Sequence, residues 1–301
     1  MAKFKDSTEG APTVSGVLDD AATPVDRPIG AIIAETRNLT AEQVEKILRH
    51  QRDKGIRFGE AAIALGFAST DDVLFALSQQ FHYPYAAEDQ RKGHPELVTL
   101  NQPFGVQAEA FRAIRSQLMM RLFNEGQERR ALAVVSPDSG DGKSFFSANL
   151  AITLAQLGGR TLLVDADMRG PRQHQVFGIP NNAGLSGILS GRAEAKVIQQ
   201  VPGVPSLFVL PVGITPPNPL ELVERPAFGL LIRELLSKFD HVVVDTPAAQ
   251  YGSDCGVIAA RCGAALVVAR QNKSRVSALE TLVGNLAETP ATLAGVIFNE
   301  F

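Results

Sequence analysis

The sequence is poor in cysteine, and this scarcity excludes two kinds of site. Only two of the 301 residues are cysteines, Cys255 and Cys262. Their spacing matches neither a zinc-ligand pattern nor a redox CxxC motif, and on a helix both would lie on one face as small apolar fillers. The low cysteine content, together with the lack of a recognisable secretion signal, predicts a reducing, cytoplasmic location.

Long apolar runs and a strong excess of charge are also missing. No stretch approaches the roughly 18 apolar residues that a membrane-spanning helix needs. We therefore expect any membrane association to come through a partner. The formal net charge is only −3, so there is no electrostatic reason to expect nucleic acid as a partner.

The stretch with the clearest chemistry is SPDSGDGKSFFSANLA, residues 136–151. A short apolar run at 131–135 precedes it, and an amphipathic segment follows it. This order predicts a strand, a glycine-rich loop and a helix, which is the context that a phosphate-binding loop requires. An ordinary Gly/Ser/Asp loop is the alternative, but GDGKS in this context favours a nucleotide.

Each part of this loop has a physical reason to bind phosphate. Gly140 and Gly142 let the backbone turn sharply and bring its N–H groups against phosphate oxygens. The following helix directs its N-terminal dipole at the same anion. Lys143 is predicted to contact the β- and γ-phosphates, and the Ser144 hydroxyl to bind Mg²⁺. The predicted nucleotide contacts are Ser139, Gly140, Asp141, Gly142, Lys143, Ser144 and Phe145.

Six short apolar runs alternate with helical stretches from residue 131 onward. Such runs are typical of strands buried on both faces of a parallel sheet. They predict an α/β fold of the P-loop type, a doubly wound, mainly parallel sheet with helices on both faces, in which nucleotide binds at the carboxyl ends of the strands. The predicted strands are Ala131–Val135, Thr161–Asp165, Leu207–Pro211, His241–Asp245, Ala264–Val268 and Leu293–Phe298.

Three carboxylates stand where two of these strands end. Asp165 and Asp167 close LLVDADMRGPR, and Asp245 closes VVVDTP. Buried carboxylates are costly unless a cation satisfies them. Beside a phosphate loop they could hold Mg²⁺ and orient an attacking hydroxyl. Asp165 could instead cap the following loop, and Asp245 could bind loop amides.

The N-terminal part of the chain has a different organisation. Residues 1–25 lack periodicity and are predicted to be a disordered tail. Residues 26–86 repeat at an offset of 29 and predict a small all-helical domain of two helix pairs. Thr40 is expected to cap one helix, and Ser69 or Thr70 another.

Between the two predicted domains, residues 87–102 have the composition of a linker. The segment from Pro103 to Asn124 is then amphipathic and predicts a helix. Glu109, Arg112 and Arg115 form one polar ridge on it. A solvated helix face is the simplest reading of that ridge.

Several motifs resemble the cytoplasmic domain of bacterial tyrosine kinases (the CpsD/CapB-like family) that control exopolysaccharide chain length. They are the phosphate loop, D-x-D-x-R, DTP, GLSGILSGR, PVGITPPNPLELV and E-x-x-R-x-x-R, and the likeness covers about residues 103–301. A helical module before such a domain resembles the EpsG-type kinases associated with chain-length determinant proteins.

The resemblance implies a role for each residue that matches the family's motifs. Lys143 and the loop amides would bind ATP phosphates, and Ser144 would bind Mg²⁺. Asp165 would receive the proton of the tyrosine hydroxyl, while Asp167 and Asp245 would complete the metal site. The polar ridge would mediate contacts in a homo-oligomer. The activator would be a membrane polysaccharide co-polymerase, which would place the protein peripherally at the inner membrane.

One departure from the family concerns the phosphate acceptor. Family members carry a tyrosine-rich C-terminal tail, whereas this sequence stops at Phe301 after the last predicted strand. We therefore expect the acceptor to be Tyr83, Tyr85, Tyr251 or another protein. The alternative is an ATPase switch or a nucleotide-sensing scaffold.

The N-terminal repeat resembles the helical module of type II secretion and pilus ATPases, some of which bind cyclic di-GMP. The second repeat carries Arg57, Gly59, Gly66 and Gln80 at the spacing of that pattern, but the first repeat departs from it. Protein docking is therefore the favoured interpretation, with cyclic di-GMP as the alternative.

Partitioning and cell-division-site ATPases are a further alternative. They carry an extra lysine five residues before the equivalent of Lys143, where this chain has Asp138, so the reading as a nucleotide-sandwich dimer is disfavoured. A metabolic phosphotransferase has no additional motif in its support.

Overall fold

The computed structural model describes residues 27–80, 94–124, 126, 128–192 and 196–300. Its contacts divide the chain into two compact units, Met1–His82 and Tyr83–Phe301. The tail predicted for residues 1–25 lies outside the described residues, as do Tyr83 and Tyr85.

The first unit contains the helices that the repeat predicts. Thr40 forms a capping box, in which the Gln43 N–H donates to Thr40 Oγ1 (3.3 Å) and the Thr40 N–H donates to Gln43 Oε1 (2.8 Å). In the second repeat Ser69, rather than Thr70, accepts from the Asp72 N–H at 3.2 Å. The four helices are α1 (Ile29–Thr36), α2 (Ala41–Lys54), α3 (Phe58–Ala64) and α4 (Thr70–Gln80).

The second unit is built on a seven-stranded sheet in the order β3-β4-β2-β5-β1-β6-β7. All neighbouring strands are parallel except β3 and β4. The strands are β1 (Ala131–Val135), β2 (Thr161–Asp165), β3 (Gln199–Gln200), β4 (Leu207–Leu210), β5 (His241–Asp245), β6 (Gly263–Arg270) and β7 (Thr292–Asn299). The six predicted strands are present, and β3 is an addition that the sequence did not predict.

Helices connect these strands and cover the sheet. They are α5 (Val98–Asn101), α6 (Val106–Arg121), α7 (Lys143–Ala155), α8 (Gln173–Val176), α9 (Leu185–Leu189), α10 (Pro219–Glu224), α11 (Pro226–Lys238), α12 (Asp254–Cys262) and α13 (Val276–Ala287). The mainly parallel α/β fold is therefore confirmed.

The core of this unit consists of two apolar layers, one on each face of the sheet. Successive side chains of β1 alternate between them. Ala133 belongs to the layer that contains Phe228 of α11 and Ile258 of α12. Leu132 belongs to the layer that contains Leu150 of α7. This alternation explains why the strand is apolar throughout.

The linker predicted for residues 87–102 is wrong in its C-terminal part. Thr99, on α5, is buried, and both its N–H (3.0 Å) and its hydroxyl (2.9 Å) donate to Asn149 Oδ1 on α7. Asn149 Nδ2 in turn donates to the Glu96 carbonyl at 2.8 Å. A helix of four residues is too short to give a periodic signal, so composition alone misassigned a segment that long-range hydrogen bonds hold in place.

Across the residues that the structure describes, we find no helix with the length and apolarity needed to span a bilayer.

Candidate active site

The phosphate loop joins β1 to α7 and turns sharply at two glycines. Gly140 (φ +84°) and Gly142 (φ +97°) adopt the left-handed conformation that favours glycine. Lys143 begins α7, and its Nζ donates to Ser136 Oγ at 3.0 Å. The amino group is thus held over the loop in which a phosphate would sit.

Asp141 stabilises the loop from behind. Its side chain is buried and accepts from the Asp138 N–H (2.9 Å) and from the Ser274 hydroxyl (2.9 Å). The backbone carbonyl of Asp141 accepts from Asn299 Nδ2 at 3.1 Å, and that of Gly140 accepts from Arg270 at 3.4 Å. The segments after β6 and at the end of β7 therefore support the loop, which motif spacing did not reveal.

Asp165 lies side by side with Asp245, because β2 and β5 pair these two residues in register. Its carboxylate is completely buried and accepts from the backbone N–H groups of Asp167 (3.2 Å), Arg172 (3.0 Å) and Gln173 (2.9 Å). Burial, and next the charge of Asp245, raise the pKa of Asp165 well above its ordinary value. Asp165 is thus an organising centre for the loop after β2.

Asp245 is equally buried but has side-chain partners. Gln173 Nε2 donates to it at 2.7 Å, and the Ser147 hydroxyl lies 3.5 Å from its other oxygen. Burial raises the pKa of Asp245 to about 6, and the hydrogen bonds from Gln173 and Ser144 oppose this rise. A cation placed beside this carboxylate would favour its charged form.

Asp167 is the carboxylate that reaches the surface of the cleft. Its Oδ1 accepts from the N–H groups of Arg169 (3.1 Å) and Gly170 (2.9 Å). The Arg169 guanidinium in turn binds both oxygens of the buried Asp254, at 3.2 and 2.9 Å. This ion pair fixes the loop that carries Asp167.

These residues surround a cleft of about 950 Å³. Among the predicted nucleotide contacts, all but Asp141 line it, and so does Asp167; Asp165 and Asp245 lie beneath its surface. The other lining residues are Pro95, Glu96, Val98, Gln107, Arg169, Gly170, Arg172, Tyr251, Arg270, Asn299 and Glu300. A volume of this size is ample for a nucleotide.

The donor set around the loop fits Mg²⁺. In the part of the chain that the structure describes, no group of three or more His, Cys, Asp or Glu side chains is arranged to hold a metal alone. Mg²⁺ typically takes one or two carboxylates together with phosphates and waters. Ser144, Asp167 and Asp245 offer such ligands, and the buried Gln173 Oε1 has no hydrogen-bond partner among the described residues. This unpaired oxygen suits a metal-bound water.

Comparison with known proteins identifies the relatives of this chain. Residues 132–301, more than half of the chain, match the family model of the CobQ/CobB/MinD/ParA nucleotide binding domain. The chain is 33% identical to the tyrosine-protein kinase CpsD of Streptococcus agalactiae over 193 residues, which are 64% of this chain and 82% of CpsD. The chain belongs to the bacterial tyrosine-protein kinase family.

Other tyrosine-protein kinases are similar to this chain to a comparable degree. The chain is 32% identical to the tyrosine-protein kinase Wzc of Salmonella typhimurium over 70% of its own length, but it matches only 29% of Wzc. The solved kinase domain of the Escherichia coli tyrosine kinase ETK superposes with a TM-score of 0.65 at 31% identity, covering 69% of this chain and 81% of that one. The chimerical protein CapA2B2 gives a TM-score of 0.64 at 32% identity, covering 74% and 96% respectively.

The polar ridge of this kinase-family domain is partly engaged within its own subunit. Arg112 donates to Glu109 at 3.2 Å and also to the Pro103 carbonyl, and Arg115 donates to the Thr153 carbonyl at 2.8 Å. Glu109 is exposed. Arg115 therefore helps to pack α6 against the phosphate-loop helix α7, while Arg112 binds within its own segment.

In the first unit, local structure accounts for the glycines of the cyclic di-GMP pattern, through packing at Gly59 and backbone conformation at Gly66. A Cβ on Gly59 would lie 2.8 Å from Val73 Cγ1, and Gly66 has φ +70°. The Arg57 N–H is bound to Glu60 Oε2 at 2.9 Å, at the start of α3. Gln80 is the last residue of α4. None of these four residues lines the cleft described above.

The two cysteines have the predicted role of apolar fillers. Cys255 and Cys262 are both on α12, both buried and both free. Burial raises the pKa of the Cys255 thiol to about 11 and raises that of Cys262 further. Neither thiol is therefore activated as a nucleophile.

Proposed function

We propose that the chain transfers the γ-phosphoryl group of Mg-ATP to a tyrosine hydroxyl. One observation carries this proposal. A preformed phosphate loop and the Asp167 loop meet in one cleft, over the buried pair Asp165 and Asp245, in a chain of the tyrosine-protein kinase family.

The protein groups have separable roles in this reaction. The loop N–H groups and Lys143 bind and orient the β- and γ-phosphates. Ser144 and, from beneath the cleft surface, Asp245 would hold Mg²⁺, and the ion would neutralise charge that develops on the phosphate oxygens. Asp167, the third ligand that the family resemblance implies, is assigned to the proton of the attacking hydroxyl instead. Positioning and electrostatic stabilisation dominate phosphoryl transfer, and the fixed loop supplies both.

We propose that Asp167 accepts the proton of the attacking hydroxyl. The family resemblance instead implies Asp165 for this role. Asp167 lines the cleft, whereas Asp165 is fully buried and accepts three backbone hydrogen bonds. A base must come within hydrogen-bond reach of the proton that it takes. Asp165 then acts as a positioning residue, because it binds the N–H of Asp167 itself.

We also propose that this kinase regulates exopolysaccharide biosynthesis and chain length, working as a homo-oligomer with a membrane polysaccharide co-polymerase that recruits it to the inner membrane. The motif resemblance supports this assignment. Glu109 is the exposed member of the polar ridge that could face a neighbouring subunit, since its side chain is 75% exposed although it pairs with Arg112. Cyclic di-GMP is not part of the proposed function, because close packing against Val73 accounts for Gly59 and a left-handed backbone conformation accounts for Gly66.

Two measurements test the kinase assignment. The first is ATP affinity. Lys143→Ala should weaken it by about 10- to 100-fold, the range expected when a charge-assisted hydrogen bond is lost. Lys238→Ala is the matched control, because that lysine is exposed on α11 and paired with Glu234. Equal affinity in both variants would refute the phosphate-loop assignment.

The second measurement is phosphotyrosine formation. Full-length protein is incubated with ATP, Mg²⁺ and a synthetic Glu-Tyr copolymer, and phosphotyrosine is quantified on the copolymer and on the chain. We expect phosphotyrosine that is absent with Lys143→Ala. Release of ADP with phosphotyrosine on neither would replace the kinase with an ATPase switch.

A further inference from the structure

Tyr251 lies on the wall of the nucleotide cleft. It ends a single 3₁₀ turn, Ala249–Tyr251, shortly after β5. The residue is 49% exposed and lines the same cleft as Lys143, Ser144 and Asp167. It is the only tyrosine among the described residues of the chain.

The backbone around Tyr251 is tied to the beginning of the phosphate loop. The Ala249 N–H donates to the Ser136 carbonyl at 2.9 Å, and the Gln250 N–H donates to the Pro137 carbonyl at 3.0 Å. Gly252 follows with φ +134°, a backbone conformation that residues other than glycine rarely adopt. The position of Tyr251 is therefore coupled to the loop that would hold the phosphates.

The residues after Tyr251 are tied to the loop that carries Asp167. Asp254, three residues further on, is buried and binds Arg169, which lies two residues after Asp167. The segment around Tyr251 is therefore hydrogen-bonded on its N-terminal side to the start of the phosphate loop. On its C-terminal side it is joined by the Asp254–Arg169 ion pair to the loop that carries Asp167.

We propose that Tyr251 is a phosphorylation site and accepts the γ-phosphoryl group of the ATP bound in its own cleft. This inference rests on the kinase function proposed above. Tyr251 Oη forms the new bond to the γ-phosphorus, and the bond from that phosphorus to the β,γ-bridging oxygen breaks. The phenolic proton passes to the Asp167 carboxylate, and the products are phosphotyrosine and ADP.

Phosphorylation at this place has a consequence for the next cycle. A phosphotyrosine carries about −1.5 to −2 charge at pH 7 and three strong acceptor oxygens. The cleft wall contains the cations Lys143, Arg169, Arg172 and Arg270. The phosphate on Tyr251 competes with the phosphates of ATP for these cations, so the phosphorylated chain should bind ATP about tenfold or more weakly.

The decisive experiment maps phosphate on the full-length wild-type chain. The protein is incubated with ATP and Mg²⁺ with the Glu-Tyr copolymer present, and its peptides are analysed by mass spectrometry. We expect phosphate on Tyr251 and an incorporation that falls at least about tenfold in Tyr251→Phe. The double variant Tyr83→Phe/Tyr85→Phe is the matched control and should incorporate as much as the wild type.

The outcomes separate failure of this inference from failure of the proposed function. Phosphate on Tyr83, Tyr85 or the copolymer, with none on Tyr251, overturns the inference and keeps the kinase. Phosphotyrosine nowhere overturns both. Thermal unfolding of Tyr251→Phe shows whether it is folded, and phosphate on Tyr251 of the wild type identifies that residue as the acceptor even if the variant does not fold.

Transfer within one chain is tested by mixing two variants. Lys143→Ala keeps the acceptor but not the phosphate contact, and Tyr251→Phe keeps Lys143 but not the acceptor. Because we place donor and acceptor in the same cleft, the mixture should leave Tyr251 of the Lys143→Ala chain unmodified. Phosphate on that residue would mean that a second copy supplies the ATP, which contradicts transfer within the chain.

Discussion

Gln173 connects three parts of the nucleotide site through its backbone N–H and its side-chain amide. Its backbone N–H donates to Asp165 (2.9 Å). Its side-chain Nε2 donates to Asp245 (2.7 Å) and to the Ser144 carbonyl (3.0 Å). The side chain is buried, and its Oε1 faces no donor among the described residues. A buried amide oxygen without a partner costs free energy unless a ligand or water satisfies it.

We expect Gln173→Leu to weaken the binding of Mg-ATP more than that of ATP without metal. The amide would no longer position Asp245 or accept from a metal-bound water, so the gain in affinity that Mg²⁺ provides should fall by about tenfold. ATP titrations with Mg²⁺ and with a chelator measure this gain. Gln175→Leu, at an exposed position on α8, is the control. An equal loss with and without Mg²⁺ would contradict the assigned role.

His241 at the start of β5 makes stability depend on pH. It is 8% exposed, and its ring packs against Phe123 with centroids 5.1 Å apart. Burial lowers the pKa of His241, the charge of Arg129 lowers it further, and that of Asp240 opposes them. The unfolded chain therefore binds this proton more readily than the folded one. Its contribution to stability is fully present above about pH 6.5, the ordinary pKa of histidine, and is lost as the pH falls through the folded pKa.

We expect His241→Gln to reduce the loss of unfolding free energy between pH 7.5 and pH 5.5. Asp165 and Asp245, whose pKa values are raised, act in the opposite direction, but their contribution cancels when the variant is compared with the wild type. Urea unfolding at both pH values gives the comparison. His174→Gln should have a smaller effect, because burial lowers the pKa of His174 at a more exposed site. The same pH dependence in wild type and His241→Gln would disprove this explanation.

Among the elements, the turn before α9 packs against the end of β4 at very short range. The N–H groups of Leu185 and Ser186 donate to the carbonyls of Pro211 and Val212, both at 2.9 Å. A Cβ on Gly184 would lie 2.1 Å from the Pro211 carbonyl oxygen and 2.6 Å from the Gly213 nitrogen. Both obstructing atoms belong to the backbone and cannot rotate away. The two motifs GLSGILSGR and PVGITPPNPLELV therefore form one structural joint.

We expect Gly184→Ala to lower the free energy of unfolding by about 3 kcal/mol or more, because the backbone must move apart to admit the methyl group. Gly256→Ala on α12 is the matched control. A Cβ there meets no atom within 4 Å, so alanine should be neutral or stabilise by up to about 1 kcal/mol through its helix propensity. Denaturant titration of both variants measures the contrast. A small effect of Gly184→Ala would show that the joint can open at little cost.

The joint also shows where prediction from sequence ends. The six strands were predictable because strands buried on both faces are apolar throughout, and the phosphate loop because its glycines and lysine stand in a fixed order. Neither Gly184 nor Pro211 carries a local signal that they touch. The same holds for Thr99 and Asn149, and for β3, which is only two residues long. Such contacts arise from the folded topology, and burial of Asp165 beneath Asp167 arises in the same way.

At the scale of the molecule, the residues of the proposed nucleotide site lie in one of two units. Every described residue that lines the cleft belongs to Tyr83–Phe301, as do Asp165, Asp245 and Gln173 beneath it. The family match, residues 132–301, falls in the same unit. The helices α1 to α4 have a core of their own, formed around Ile47, Ala61 and Ala62. The first unit is therefore a candidate for a separate role, with protein docking as the interpretation that its sequence favours.

We expect a chain shortened to Tyr83–Phe301 to bind ATP with the affinity of the full chain, within about twofold, because it keeps every described residue of the cleft. It should also retain its stabilisation by Mg-ATP, since a ligand that binds only the folded state stabilises it by an amount that grows with the logarithm of the ligand concentration divided by Kd. A matched chain that begins at Gln102 removes Glu96 and Thr99 as well, so Asn149 loses its partners on α5 and near it. That shorter chain should unfold at lower temperature and bind ATP more weakly. Titration calorimetry and thermal unfolding compare the three chains.

A loss of affinity on removing Met1–His82 alone would mean that the first unit takes part in nucleotide binding. Equal ATP affinity and unfolding temperature of both shortened chains would mean that the segment before α6 is dispensable to the cleft.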